Sequence, residues 1–304
     1  MTKKIVVFTT GGTIACTAGP DGALIPTVSG EDLVRPVAER FADSSIVCEV
    51  RELTRLDSSS MTFADVDEIV AAVQEALDDP ETTGVVVTHG TDSMEETAIA
   101  VDTFHSDSRP VVFTGAQKPS NHPEADGPEN LFDAIVIAAD DSARDIGCLI
   151  VFNHAVIPAR GAVKWHTSDN LAFATNGPEE PTRPDPILPH PLAGIQVDVI
   201  SAYAGAPRTL IDAAVAAGSQ GLVIEAMGAG NVGREMADAL DQGIPVIITT
   251  RVPRGEVHGS YGGAGGGATL AAKGALGSTY FRAAQARVLL AIALATGHHP
   301  ATLF

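Results

Sequence analysis

Basic residues are scarce in this chain of 304 residues: 19 Lys and Arg stand against 38 Asp and Glu, a formal net charge of -19. Nucleic-acid and anionic-membrane surfaces both need clustered Lys and Arg, so neither is expected as a partner. Cysteine is also sparse. Cys16, Cys48 and Cys148 are odd in number and far apart, which gives neither a disulfide framework nor metal-ligand spacing. Such thiols fit a reducing cytoplasm, with Cys148 a core residue at the head of a strand. No apolar run approaches membrane-spanning length, and Ile5-Val6-Val7-Phe8 is too short for the apolar region of a signal sequence. What the chain has in quantity is hydrophobic residues, 45% of the total, enough for two domains with separate cores.

Strand-like and helix-like segments alternate along it. This predicts a two-domain α/β protein, with a larger N-terminal doubly wound sheet of flavodoxin or Rossmann-like type and a smaller C-terminal α/β domain. The first strand is expected over Lys4 to Thr9, a helix around Glu31 to Ala42, and a strand around Val47 to Leu53. Thr62 to Leu77 reads as an amphipathic helix with Thr62 and Asp65 placed as a capping box. Further strands are expected at Arg109 to Thr114 and Cys148 to Phe152, with a helix over Pro128 to Ala139 between them. Repeated prolines deny both helix and ladder bonding over 178–194, so this stretch is the expected linker between domains 1–177 and 195–304. Beyond it, strands at Ile195 to Ile200, Gly221 to Glu225 and Ile244 to Thr250 alternate with helices at Leu210 to Ala217 and Arg234 to Leu240. The apolar helix Ala283 to Leu294 is expected to pack on that second sheet.

The chain is organised around 84–98, a β-branched run cut off at Gly90 and followed by Thr91, Asp92 and a helical pattern with acids in its first turn. Strand, tight turn and helix in that order place Thr91 and Asp92 where open α/β sheets bind ligands. A plainer alternative is that Thr91 or Asp92 only caps the helix. A second turn, Gly11-Gly12-Thr13, closes the first strand in the same manner, and the turn-rich Ala18 to Gly22 after it reads as a mobile lid. The serines at Ser58 and Ser59 end another strand, where short hydroxyls and free N–H groups suit a carboxylate.

Thr10-Gly11-Gly12-Thr13-Ile14-Ala15 and His89-Gly90-Thr91-Asp92-Ser93-Met94-Glu95-Glu96-Thr97-Ala98 together resemble the two signatures of the bacterial L-asparaginase/glutaminase family. The resemblance implies hydrolysis of the side-chain amide of L-asparagine, with Thr13 as nucleophile and Thr91 and Lys164 as the group that activates a hydroxyl or water. Asp92 would hold the α-ammonium and Ser58 the α-carboxylate, with Ser59 where many members carry Gln. The carbonyl of Ala116 would help hold the amide, and Asn231 would reach the site of a neighbouring subunit. A homotetramer built from close dimers is implied, and neither a metal nor an organic cofactor is called for.

Two features depart from that pattern. The family lid carries a tyrosine soon after the nucleophile, whereas the tyrosines here are Tyr203, Tyr261 and Tyr280. Tyr261, in a glycine-rich run, is a candidate to supply the phenol from a partner subunit, and a plain surface loop is the alternative. Met227 to Gly233 also spells G-x-G-x-x-G between a strand and a helix, the local context of a dinucleotide fingerprint, but the next strand lacks the ribose-binding acid. Besides an asparaginase, two readings stay open: an amidase subunit feeding a tRNA-dependent amidotransferase, and a non-catalytic amino-acid-binding or regulatory protein on the same scaffold.

Overall fold

The computed structural model describes residues 2–41, 46–176 and 182–304. The expected end of the first helix, Ala42, and residues 177–181 of the expected boundary and linker lie outside these. The chain divides into two compact units, one of Met1–Thr175 with Asp185–Pro189, the other of Asn176–Pro184 with His190–Phe304. The Ile187 N–H donates to the Thr103 carbonyl, so the middle of the proline-rich stretch is pinned to the first unit.

In the first unit, β1 (Lys3–Gly11) leads through a short hairpin of β2 (Cys16–Ala18) and β3 (Leu24–Pro26) to α1 (Gly30–Ala38). Ser29 caps α1, and Pro36 lies inside it. There follow β4 (Ile46–Leu56), α2 (Phe63–Asp78), β5 (Thr82–Thr88), α3 (Met94–Phe104), β6 (Val111–Thr114) and α4 (Gly127–Ala139). The unit ends with β7 (Cys148–Phe152), β8 (Ala155–Pro158) and the small hairpin β9 (Ala162–Lys164) and β10 (Phe173–Thr175). The capping box is present: the Thr62 N–H and hydroxyl both donate to the Asp65 carboxylate, at 2.7 and 2.6 Å.

The main sheet runs β4-β1-β5-β6-β7-β8 and is parallel except for β8. Its strands read as continuous apolar runs because both faces are covered. Ile5, Val7, Val86 and Val112 meet Leu131 and Ile135 of α4 and Val34 and Val37 of α1 in one core cluster. The alternate residues Val6, Phe8, Val85 and Val87 are just as buried and point to the opposite face. The chain steps from β1 outward to β4, then returns across β1 to β5. This reversal makes a switch point at the carboxyl ends of β1 and β5, the two strands whose turns the sequence singled out.

The second unit holds a smaller parallel sheet of β11 (Val197–Ser201), β12 (Gly221–Ala226), β13 (Val246–Thr250) and β14 (Leu276–Gly277), in that order. The helices are α5 (Thr209–Ala216), α6 (Arg234–Ala239), α7 (Gly267–Ala272) and α8 (Ala283–Thr296), and α8 lies across β11, β12 and β13. The loop with the G-x-G-x-x-G spacing spends its polar groups on its own unit: the Thr250 hydroxyl donates to the Gly228 carbonyl at 2.6 Å, and the Gly267 N–H donates to Asn231 Oδ1 at 3.2 Å.

Candidate active site

Four turns at the carboxyl edge of the main sheet, together with the β9–β10 and β2–β3 hairpins, build a cleft of about 260 Å³, lined among others by Thr13, Ser58, Thr91, Asp92, Gln117 and Lys164. That volume suits a ligand of amino-acid size, since drug-sized molecules occupy ~300–1,000 Å³.

The turn after β1 is made possible by Gly12, whose φ of 78° and ψ of -179° lie in a region essentially reserved for glycine. A Cβ on Gly12 would stand 2.4 Å from the Gly90 Cα, so the two threonine-bearing turns touch backbone to backbone. Thr13 follows at the head of a short 3₁₀ turn and lines the cleft half-buried. Among the described residues no hydrogen bond to its hydroxyl is found, so that group is uncommitted in a residue that lines the cleft.

The turn after β5 is set by His89. This residue is fully buried, and burial pushes its pKa down to about 4, so the ring is neutral and Nδ1–H donates to the Gly90 carbonyl at 2.7 Å. Simple helix capping does not account for Thr91 and Asp92. α3 begins at Met94 with Ser93 at the capping position, and both residues stand clear of it. The Lys164 Nζ instead donates to Thr91 Oγ1 at 2.8 Å and to Asp92 Oδ1 at 2.6 Å. Thr91 is buried, whereas the Asp92 side chain is 61% exposed and can meet a ligand's cation as well as Lys164.

Ser58 belongs to this arrangement from the other side. The short turn Ser58–Ser60 after β4 buries Ser58, whose hydroxyl accepts the Asp92 N–H at 3.2 Å while its carbonyl accepts the Ser93 hydroxyl at 2.7 Å. Ser59 is exposed and also lines the cleft. The loop after β6 is held by the first turn of α4: the Asp126 carboxylate accepts the N–H groups of Gln117 and Lys118, and Asn130 donates to the Gly115 carbonyl. Ala116 is thereby fixed and buried.

Lys164 closes β9, where it pairs with Phe173 of β10. Its backbone N–H donates to the carboxylate of Glu95, in the first turn of α3. Glu95 is buried, and desolvation raises its pKa to about 7, against the opposing pull of that hydrogen bond.

The expected lid is the β2–β3 hairpin, tied at its base to the loop after β6. Asn121 clamps Ala18 through two hydrogen bonds, Oδ1 accepting from its N–H at 2.9 Å and Nδ2 donating to its carbonyl at 3.0 Å, and the Ser120 N–H and hydroxyl both donate to the Cys16 carbonyl. The hairpin brings Leu24 to the cleft. Asn231 and Tyr261 lie in the second unit and are not among the residues of this cleft. Gln117, Asp57, Leu24 and Thr167 line it without having been marked in the sequence, and Glu95 looked only like a first-turn acid. For Gln117 the one available signal is its position beside Ala116. Among the described residues no group of three or more His, Cys, Asp or Glu is arranged to hold a metal.

The arrangement supplies an unengaged threonine hydroxyl, a second hydroxyl bonded to a lysine, a carboxylate and a buried serine in one small cleft, the parts that acyl transfer to a hydroxyl requires. Comparison with known proteins agrees with it. The N-terminal asparaginase family model matches residues 4–182, and the glutaminase/asparaginase C-terminal domain model matches 196–303. An L-asparaginase of Bacillus licheniformis is 31% identical, with 97% of each chain covered. L-asparaginase 2 of Escherichia coli is 32% identical over 83% of this chain and 79% of its own. The crystal structure of a probable cytoplasmic L-asparaginase from Campylobacter jejuni superposes with a TM-score of 0.87 at 25% identity, covering 99% of this chain and 98% of that one. By signatures, fold and relatives alike, the chain belongs to the asparaginase family.

Proposed function

We propose that this protein hydrolyses the side-chain amide of L-asparagine to L-aspartate and ammonia, with Thr13 as the nucleophile. The observation that carries the reading is the Lys164 Nζ seated between Thr91 Oγ1 and Asp92 Oδ1, beside a turn that offers Thr13 with its hydroxyl uncommitted. Asp92 and Ser58 receive the α-ammonium and α-carboxylate, which turns the distal carbonyl toward Thr13. Thr13 Oγ attacks that carbonyl carbon and its proton passes to the leaving nitrogen, which departs as ammonia and leaves an aspartyl ester on Thr13. Main-chain groups at Thr91 and Ala116 steady the oxyanion. Water then attacks the ester, giving up a proton through Thr91 to the Lys164 side chain in its neutral amine form. Lys164 returns that proton to Thr13 Oγ as the ester bond breaks, so that L-aspartate is released and the free hydroxyl is regenerated.

Asn231 and Tyr261 are proposed to act across a subunit interface in a homotetramer of close dimers. Asn231 Oδ1 is held by the Gly267 N–H, leaving its Nδ2 to be offered to a ligand, and the Tyr261 side chain is exposed. A cytoplasmic location is supported by cysteine usage, with Cys16, Cys48 and Cys148 too few and too scattered for a disulfide framework. The test is ammonia release from L-asparagine, L-glutamine and D-asparagine by the purified protein beside Thr13→Ala. Release from L-asparagine that Thr13→Ala abolishes is expected. A protein that releases nothing yet binds L-aspartate tightly would instead be an amino-acid sensor, the reading that the tyrosine-free lid favours. A monomer in light scattering would remove the roles given to Asn231 and Tyr261.

A further inference from the structure

The side chain of Gln117 bridges two segments, the Thr91 turn and the loop that follows Lys164. Its Nε2 donates to the main-chain carbonyls of His166 at 3.3 Å and Asp169 at 3.0 Å. Both amide hydrogens are thereby used, which fixes the orientation of the group, since a flipped amide would set Oε1 against two carbonyl oxygens. Oε1 is left facing Thr91, whose hydroxyl donates to it at 3.5 Å. The Gln117 main chain is held as firmly, with its N–H on the Asp126 carboxylate at 3.0 Å.

The same Thr91 oxygen accepts the Lys164 Nζ at 2.8 Å. A hydroxyl has one hydrogen, and an ammonium can only donate to it, so while Lys164 is charged the hydroxyl hydrogen must find an acceptor elsewhere. Gln117 Oε1 is the acceptor that the structure provides. Once Lys164 has returned its proton to the departing Thr13 oxygen, that hydrogen can turn to the free amine. The two carbonyls that hold the amide belong to the loop directly after Lys164, so one side chain ties the hydroxyl to the segment carrying the amine.

We infer that Gln117 is a positioning residue for the Thr91–Lys164 pair, setting the direction of the Thr91 hydroxyl and the placement of the loop that follows the lysine. The inference rests on the asparaginase reading of this cleft. Its 3.5 Å bond is long, as catalytic hydrogen bonds often are before substrate binds, so the expected effect is moderate.

The experiment compares purified full-length protein with Gln117→Met, which keeps the side chain's length and removes its hydrogen bonds. For L-asparagine, kcat is expected to fall roughly tenfold, with KM and the Kd for L-aspartate within about twofold of the parent. An unchanged kcat would overturn the inference. So would a rise of KM and Kd alongside any loss of kcat, because that is the signature of a pocket that has merely lost its shape. If Gln117→Met does not yield folded protein, Gln117→Asn, too short to span from Thr91 to the carbonyls, is read by the same criteria. A parent protein that releases no ammonia from L-asparagine would instead refute the asparaginase reading itself.

Discussion

Replacing Gly12 by alanine tests whether the contact between the two threonine-bearing turns is what assembles the site. Two costs arise from the structure. The first is conformational: φ 78° with ψ -179° is a region that L-residues scarcely enter, worth roughly 1–3 kcal/mol. The second is steric. The new methyl would sit 2.4 Å from the Gly90 Cα and 2.5 Å from the Gly90 N, and neither atom is at the end of a side chain that could swing away. Overpacking of that kind costs roughly another 1–3 kcal/mol. To reach an ordinary van der Waals distance, the turns carrying Thr13 and Thr91 must separate by about 1 Å, and a misplacement of that size can lower the rate of an oriented reaction by about 100-fold. Gly12→Ala is therefore expected to lose roughly two orders of magnitude in kcat/KM for L-asparagine and to lower the urea midpoint. Gly22→Ala separates the two costs. Gly22 also has a positive φ, 81°, but its Cβ would meet nothing within 4 Å, so it should lose roughly 1–2 kcal/mol of stability while keeping its kinetics. A folded Gly12→Ala enzyme with kcat/KM within about threefold of the parent would refute the argument, because a 1 Å separation should be far more costly than that.

Lys164→Met keeps the bulk of the side chain and removes the amine that bonds Thr91 and Asp92, so kcat should fall by roughly 10²–10⁴-fold. A smaller loss in the ammonia assay would take proton transfer away from this residue. Glu95 makes stability depend on pH. Its ordinary value of 4.5 is raised to about 7 in the fold, so between those values the native state holds a proton that the unfolded chain has released. Stability from this group is intact below about 4.5 and is lost as pH rises through about 7, a difference of roughly 3 kcal/mol for so buried a carboxyl. Chemical denaturation at pH 5 and pH 8 should show that decline in the parent and a flatter profile in Glu95→Gln, and parallel profiles for the two proteins would exclude Glu95 as its source.

What could be read from the sequence, and what could not, divides along the distance over which each residue finds its partners. Thr13 and Thr91 were legible because their setting is local: a strand of β-branched residues, glycines that allow a sharp turn, then a helix. Strand order does the rest, since adjacency of β1 and β5 at the switch point converts two separate turns into one cleft. The capping box at Thr62 and Asp65 was legible for the same reason, its partners being three residues apart. Gln117 was not. Its acceptors lie about fifty residues further along, on a loop whose position depends on the β9–β10 hairpin, and three-residue strands leave little periodic signal. Glu95 was hidden differently, because an acid in the first turn of a helix is what the helix dipole alone would favour. Nothing local reveals that its carboxylate accepts the N–H of Lys164. The lid shows the same division. Glycine and proline around Gly22 mark a turn locally, but the tie from Ala18 to Asn121, about a hundred residues away, has no local signal. The proposed reacting groups of this site are thus announced by their own turns, while Gln117, Glu95 and Asn121, which bond to the segments around them, are set by tertiary contacts. A motif can therefore identify the reaction well before it identifies which residues tune it.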